Sequence, residues 1–213
     1  MFHLVTEPNA PLQTTPQGAA AASAWPDAFS DAVESMHEVR LRKEISLGTI
    51  RPPQRLAPYS HAVGFEVEHP SAQGAGDFIA TDSEGDAFGR LILLHDPQGE
   101  EAWEGQFRLV AYIQADVDDS LAGDPLLPDV AWDWLREGLS ERGAEYTNLG
   151  GTVTSTASVR FGEIGGPPRA FQLEMRASWT SGSTDLSSHV AGFADVLSHV
   201  AGLPPEGVTA IGS

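Results

Sequence analysis

The sequence predicts an α+β domain with the element order α-β-β-β-α-β-β-α, in which helices pack against a five-stranded antiparallel sheet. Three observations predict it. Phe107, Leu109, Ala111, Ile113, Ala115 and Val117 alternate with Gln106, Arg108, Tyr112, Gln114 and Asp116, the period of a half-buried strand. Apolar residues recur at helical spacing in three other stretches. Pro, Gly and Asp clusters separate these runs as turns would.

The first 24 residues, rich in Pro, Ala and polar side chains, offer little to bury and read as a disordered leader. Residues 25–205 read as one domain and residues 206–213 as a tail. Order is expected to begin at Trp25-Pro26-Asp27. Proline suits a first helical position, and aspartate suits the positive end of the helix dipole. Phe29, Ala32, Val33 and Met36 then carry a helix over about 26–42. Pro52, Pro53 and Pro58 argue against regular structure in the connector, with Ile45, Leu47 and Ile50 pinning it to the core. Val63, Phe65 and Val67 predict the first strand, and residues 70–85 a long loop.

The run Leu91-Ile92-Leu93-Leu94 predicts a second strand, buried on both faces. Asp96-Pro97-Gln98-Gly99 has the residue order of a β-turn leading into the third. A second helix is predicted over 128–142. Val130, Ala131, Trp134, Leu135, Gly138 and Leu139 share its core face, Trp132 lies at the margin, and Gly143 stops the helix. Strands follow over 152–161 and 169–179, joined by a turn at 165–168. A last helix, capped by Thr184 or Asp185, carries Leu186, Val190, Phe193, Ala194, Leu197, Val200 and Ala201 and ends at Leu203-Pro204-Pro205. The hairpin-then-helix pattern occurs twice, at an offset of 64 residues.

Composition narrows function. The formal net charge is −18, and Lys43 is the sole lysine. Such a body repels phosphate backbones, so nucleic acid is not an expected partner. The absence of cysteine removes thiol catalysis, disulfides and iron–sulfur clusters. No apolar run reaches the about 18 residues of a membrane span, and no signal-peptide pattern opens the chain. A cytoplasmic location, without membrane association, is the expectation.

The chemistry-bearing residues form weak constellations. His95-Asp96 is the only adjacent His–Asp pair; it runs into a turn and reads as an incidental His beside a turn-starting Asp. The seven histidines show no i, i+4 ligand spacing, and His189 and His199 read as rim residues of the last helix. No metal or cofactor is therefore expected. Asp116, Asp118 and Asp119 lack the pattern of a calcium loop. Glu100, Glu101 and Glu104 around Trp103, and the basic group Arg40, Arg42, Lys43, Arg51 and Arg55, read as solvated surface. Trp132, Trp103 and Leu139 are the candidate interface residues, because large side chains at the margin of a core are favoured at protein contacts.

Several stretches together resemble the actinobacterial family catalogued as domain of unknown function 3000. They include Arg55-Leu56-Ala57-Pro58-Tyr59, 89–97, Trp103-Glu104-Gly105-Gln106-Phe107, 124–128, Trp132-Asp133-Trp134-Leu135, Gly151-Thr152-Val153-Thr154, Arg176-Ala177-Ser178-Trp179 and 201–205. That resemblance spans nearly the whole predicted domain and implies no activity or site residues. In element order alone the chain is also similar to the type III secretion chaperone-like and YbjN-like fold, which implies small acidic dimers that bind other proteins. The expected function is a non-enzymatic protein-binding or chaperone-like module, forming a homodimer or holding a protein partner. The alternative is a small-ligand-binding protein or enzyme with a pocket between sheet and helices.

Overall fold

Residues that alternate in the sequence alternate across a sheet. The computed structural model describes residues 25–67, 87–163 and 169–205. The proposed leader, the loop at 70–85, the turn at 165–168 and the C-terminal tail lie outside them. Six strands, β1 (Ile45–Thr49), β2 (Tyr59–Val67), β3 (Phe88–Glu100), β4 (Gly105–Asp116), β5 (Tyr146–Val159) and β6 (Arg169–Ser181), form one sheet in the order β1-β2-β3-β4-β6-β5. All neighbouring pairs are antiparallel. Three long helices, α1 (Asp27–His37), α3 (Leu127–Glu141) and α4 (Ser187–Val200), accompany it, with a single helical turn, α2 (Asp119–Ala122).

The α+β class and the antiparallel pairing are as expected, but the sheet has a sixth strand. Ile45, Leu47 and Thr49 pair with Val67, Phe65 and Val63 to make β1 at one edge. The prolines do keep residues 50–58 irregular, but the strand lies before them. Accordingly, α1 ends at His37 rather than near residue 42. Asp96-Pro97-Gln98-Gly99 is a second correction. These residues interrupt the β3–β4 ladder between His95 and Glu100, and Gly99 has φ +80°. The chain reverses later, at a 3-10 turn over Glu101–Trp103 closed by Glu104 in the left-handed region.

The odd-numbered residues of β2, β3, β4 and β6 face the helices. Val63, Phe65, Leu91, Leu93, Leu109, Ile113, Leu173, Met175 and Trp179 are buried there. α4 lies over the middle of this face. Its Phe193 meets Phe65 edge-on, and a Cβ on Gly89 would strike the same ring. α4 buries far more than its predicted stripe, because α1 and α3 flank it; His189, Gly192, Val196 and Ser198 are also inside. On α3 the predicted face is right except at Val130, which is exposed. α3 crosses α4 where Gly138 meets Gly192. Gly143 (φ +70°) and Gly202 (φ +66°) end α3 and α4. Each allows an N–H five residues on to bond back, Ala144 to the Leu139 carbonyl and Leu203 to the Ser198 carbonyl. At the N-terminus of α4, Asp185 Oδ1 accepts the Ser187 N–H at 3.0 Å, and the preceding Leu186 N–H donates to Ser35 Oγ of α1 at 2.9 Å.

The repeated hairpin-then-helix pattern has a spatial counterpart. β3–β4–α3 and β5–β6–α4 meet through the β4–β6 pair and the α3–α4 crossing. The residues equated by the offset of 64 do not correspond, since Gly138 lies inside a helix whereas Gly202 ends one.

Candidate functional site

With every long helix among the described residues on one face, the other face of the sheet carries none of them. Its even-numbered residues build an ordered polar and aromatic array. Arg90, Tyr112, Arg176 and Thr152 stand directly opposite one another on β3, β4, β6 and β5. The Arg90 guanidinium lies 5.5 Å from the Phe88 ring centre, Phe88 lies 5.9 Å from Tyr112, and Arg176 lies 5.5 Å from Tyr112 on its other side. The array thus runs cation, ring, ring, cation across three strands, each neighbour attracted by the ring quadrupole.

Hydrogen bonds hold the array. The Tyr112 hydroxyl lies 2.8 Å from both Glu174 Oε2 and Gln114 Oε1. Arg176 pairs with Glu174 at 2.9 Å. Partial burial, and then the Glu174 carboxylate, push the Tyr112 hydroxyl above its ordinary value. A phenol shifted upward stays protonated, which is the wrong direction for a base or nucleophile. The bond from Tyr112, then that from Arg176, hold the Glu174 carboxyl below the usual range. Two rows away, Arg108 donates to the Asn148 carbonyl, Thr180 Oγ1 and Ser178 Oγ. Its partners are all neutral, and burial lowers its pKa.

The helix side holds a Ser–His contact with the outline of a catalytic pair. Ser181 Oγ lies 3.1 Å from His189 Nε2, and both residues are buried. The other ring nitrogen decides its chemistry. Trp179 Nε1–H, a donor only, points at His189 Nδ1 from 3.1 Å, so Nδ1 carries the lone pair. The proton of the neutral ring is then on Nε2 and is donated to Ser181, whose own proton goes to the Ser183 carbonyl. The imidazole cannot accept the serine proton. This buried chain locks α4 to β6, and it corrects the reading of His189 as a rim residue.

His95 and Asp96 point to opposite faces, as strand neighbours must. His95 is buried and stacked between Phe29 and Phe107 at 5.7 and 4.2 Å. Its Nδ1–H donates to the Gln106 carbonyl, and its buried Nε2 has no partner. Asp96 Oδ1 instead accepts the Gln98 N–H. The two do not form a ligand pair. Asp116, Asp118, Glu100, Glu101 and Glu104 are exposed, as are Arg40, Lys43, Arg51 and Arg55; Arg42 is paired with Glu44 at 3.0 Å.

The candidate interface residues separate. Leu139 is fully buried and unavailable to a partner without unfolding α3. Trp103 is half-buried at the β3–β4 turn, and its carbonyl accepts from Thr180 Oγ1 and Asn148 Nδ2. Trp132 is half-buried and lies over Gly151 of β5, where a Cβ would come within 2.9 Å of its ring. Trp132 thereby joins α3 to the edge strand. Trp132→Ala is expected to cost about 2 kcal/mol, below the roughly 3–5 kcal/mol of a fully buried aromatic. A denaturant midpoint unchanged from wild type would show that the contact with β5 contributes nothing.

The family model described as "Protein of unknown function (DUF3000)" matches residues 25–209. The chain belongs to this family. The stretches that carry the resemblance fall on structural joints, among them Gly151 beneath Trp132, Trp179 beside His189, and the Gly202 stop of α4. No curated protein and no solved structure matches the chain significantly. The element-order likeness to the type III chaperone-like and YbjN-like fold is not confirmed, and four strands, not three, separate α1 from α3. No helix among the described residues is long and apolar enough to cross a membrane.

Proposed function

We propose that this family member is a non-enzymatic protein-binding module of the cytoplasm that works as a homodimer joined through edge strand β5. One observation carries the reading. β5 runs 14 residues and pairs only with β6 among the described residues, and from Thr147 to Val159 it bears no charged side chain. Natural edge strands are ordinarily protected by lysine, proline or inward-pointing charge. The ladder shifts register between Thr147 and Gly150, near one end, and is regular from Gly150 to Val159. Val159, the last residue of β5, and Phe161, beyond Arg160, are 53 % and 80 % exposed.

A second copy fits this edge better than a stranger does. Antiparallel pairing of one strand with itself about a two-fold axis is self-complementary by construction. In a chain of net charge −18, an uncharged edge is also where two copies approach with least repulsion. Such pairing continues the sheet and places both Arg90–Phe88–Tyr112–Arg176 arrays on one surface, where a partner protein would engage them together. Both constellations with an enzyme-like outline, around Tyr112 and His189, are set in states that do not favour proton abstraction, which supports binding over catalysis.

The test is Thr154→Lys with Thr156→Lys. Both positions lie on the helix-free face, opposite Glu174 and Gln172, so the fold tolerates lysine there. In sedimentation at about 100 μM, wild type is expected to be dimeric and the variant monomeric, with melting temperatures that agree once the dimer contribution is removed. A monomeric wild type would sink the proposal; a variant that stays dimeric would move the interface off β5.

A further inference from the structure

The fold brings together two histidines that lie 24 residues apart in the sequence. His37 is the last residue of α1, and His61 projects from β2 toward the helix layer. Their Nε2 atoms are 3.0 Å apart, and the rings meet at 70°. His61 is 7 % exposed, walled by Trp25 at 6.4 Å, while His37 is open to solvent.

We propose that His37 and His61 form a two-imidazole site for a divalent transition-metal cation of the copper or nickel class, completed by water on the exposed side. Geometry favours that class. With metal–nitrogen distances of about 2.0–2.1 Å, nitrogens 3.0 Å apart subtend about 91–97° at the cation. That is the angle between adjacent ligands in tetragonal or octahedral coordination, narrower than the tetrahedral angle zinc prefers. Imidazole suits these cations, and copper stands highest in the affinity order. Among the described residues no group of three His, Cys, Asp or Glu could hold a metal, so the protein supplies two ligands and solvent the rest.

Without metal, one proton bridges the two nitrogens as an N–H···N bond. A cation displaces that proton, and both rings then carry hydrogen on Nδ1. Binding would fasten the end of α1 to β2. The histidines at 3 and 69 lie outside the described residues; His199 is exposed on α4 and is a competing surface ligand.

The experiment is calorimetric titration of untagged full-length protein with Cu²⁺ and separately with Ni²⁺, in a non-chelating buffer at pH 7.5. One equivalent is expected to bind. Replacement of His37, at the exposed end of α1, by Ala (His37→Ala) should weaken binding at least 10-fold, and His61→Phe should do the same, whereas His199→Ala leaves it unchanged. Electron paramagnetic resonance of the Cu²⁺ complex should show two equivalent nitrogens, reduced to one in His37→Ala. Because His37 is exposed, that variant is decisive even if His61→Phe disturbs the core. No binding, or an unchanged isotherm in His37→Ala, overturns the proposal and leaves the pair a hydrogen bond only. Neither result bears on the β5 dimer.

Discussion

Gly192→Val is expected to lower stability by about 3 kcal/mol, the upper end of the cost of overpacking. For a chain of this size that corresponds to a melting temperature lower by about 6–12 °C. The reason is backbone against backbone. A Cβ on Gly192 would lie 2.7 Å from the Gly138 carbonyl oxygen and 3.0 Å from the Leu139 Cα. Neither can rotate away as a side chain could, so α3 and α4 must separate. Both helices are tied down, α3 by Trp132 over Gly151 and α4 by Phe193 under Gly89, and their separation would open contacts at Leu135, Leu139 and Val196. A valine would otherwise be expected to gain helix propensity over glycine, so the loss measures the crossing itself. Gly150→Ala is the control, because nothing lies within 4 Å of a Cβ there. Thermal melts in which the two variants agree would show that the helices do not cross at these glycines.

Acid is expected to remove about 3 kcal/mol of stability through His189 alone. Its pKa is lowered from 6.5 to about 4, chiefly by burial, with Asp185 opposing the shift only in part. Above pH 6.5 the ring is neutral in both folded and unfolded chains, and the stability is fully present. Between pH 6.5 and about 4 the unfolded chain takes up the proton and the folded chain does not, so stability falls with pH. Below about pH 4 both forms are protonated and this loss stops growing. At 1.36 kcal/mol for each unit, a shift from 6.5 to about 4 gives the magnitude. Protonation would place a second donor against Trp179 Nε1–H, and that conflict is the structural content of the shift. His61 is shifted in the same direction, so wild type alone does not isolate the effect. The comparison is with His189→Gln, whose amide cannot titrate. Urea midpoints at pH 7.5, 6, 5 and 4.5 should fall more steeply in wild type. Parallel profiles would contradict the buried neutral imidazole.

Both effects arise from features that local reading handles poorly. A buried glycine and a loop glycine look alike in a sequence; only the crossing of two helices distinguishes Gly192 from Gly150. His189 sits beside an apolar stripe that reads as one-sided, and it is buried because α1 and α3 flank α4. Leu139 was a plausible anchor by its place on α3 and is instead core, since the α4 crossing covers it.

What the sequence by itself determined is what short-range physics controls. The alternation from Gln106 to Val117 makes β4, because a strand with one buried face must alternate. The stripes of α3 and α4 and the α3 stop at Gly143 follow from helical period and left-handed backbone. The α+β class follows from the sum of these elements. β1 was less legible because five residues with a glycine near the end give too few alternations to stand apart from a connector. Tertiary structure alone decided that β6 inserts between β4 and β5 and that, among the described residues, every long helix lies on one face and β5 pairs on one side only. It alone set His37 against His61, and Trp179 against His189. Those pairings depend on which surfaces are buried together when the whole chain closes, and no window of neighbouring residues contains that information.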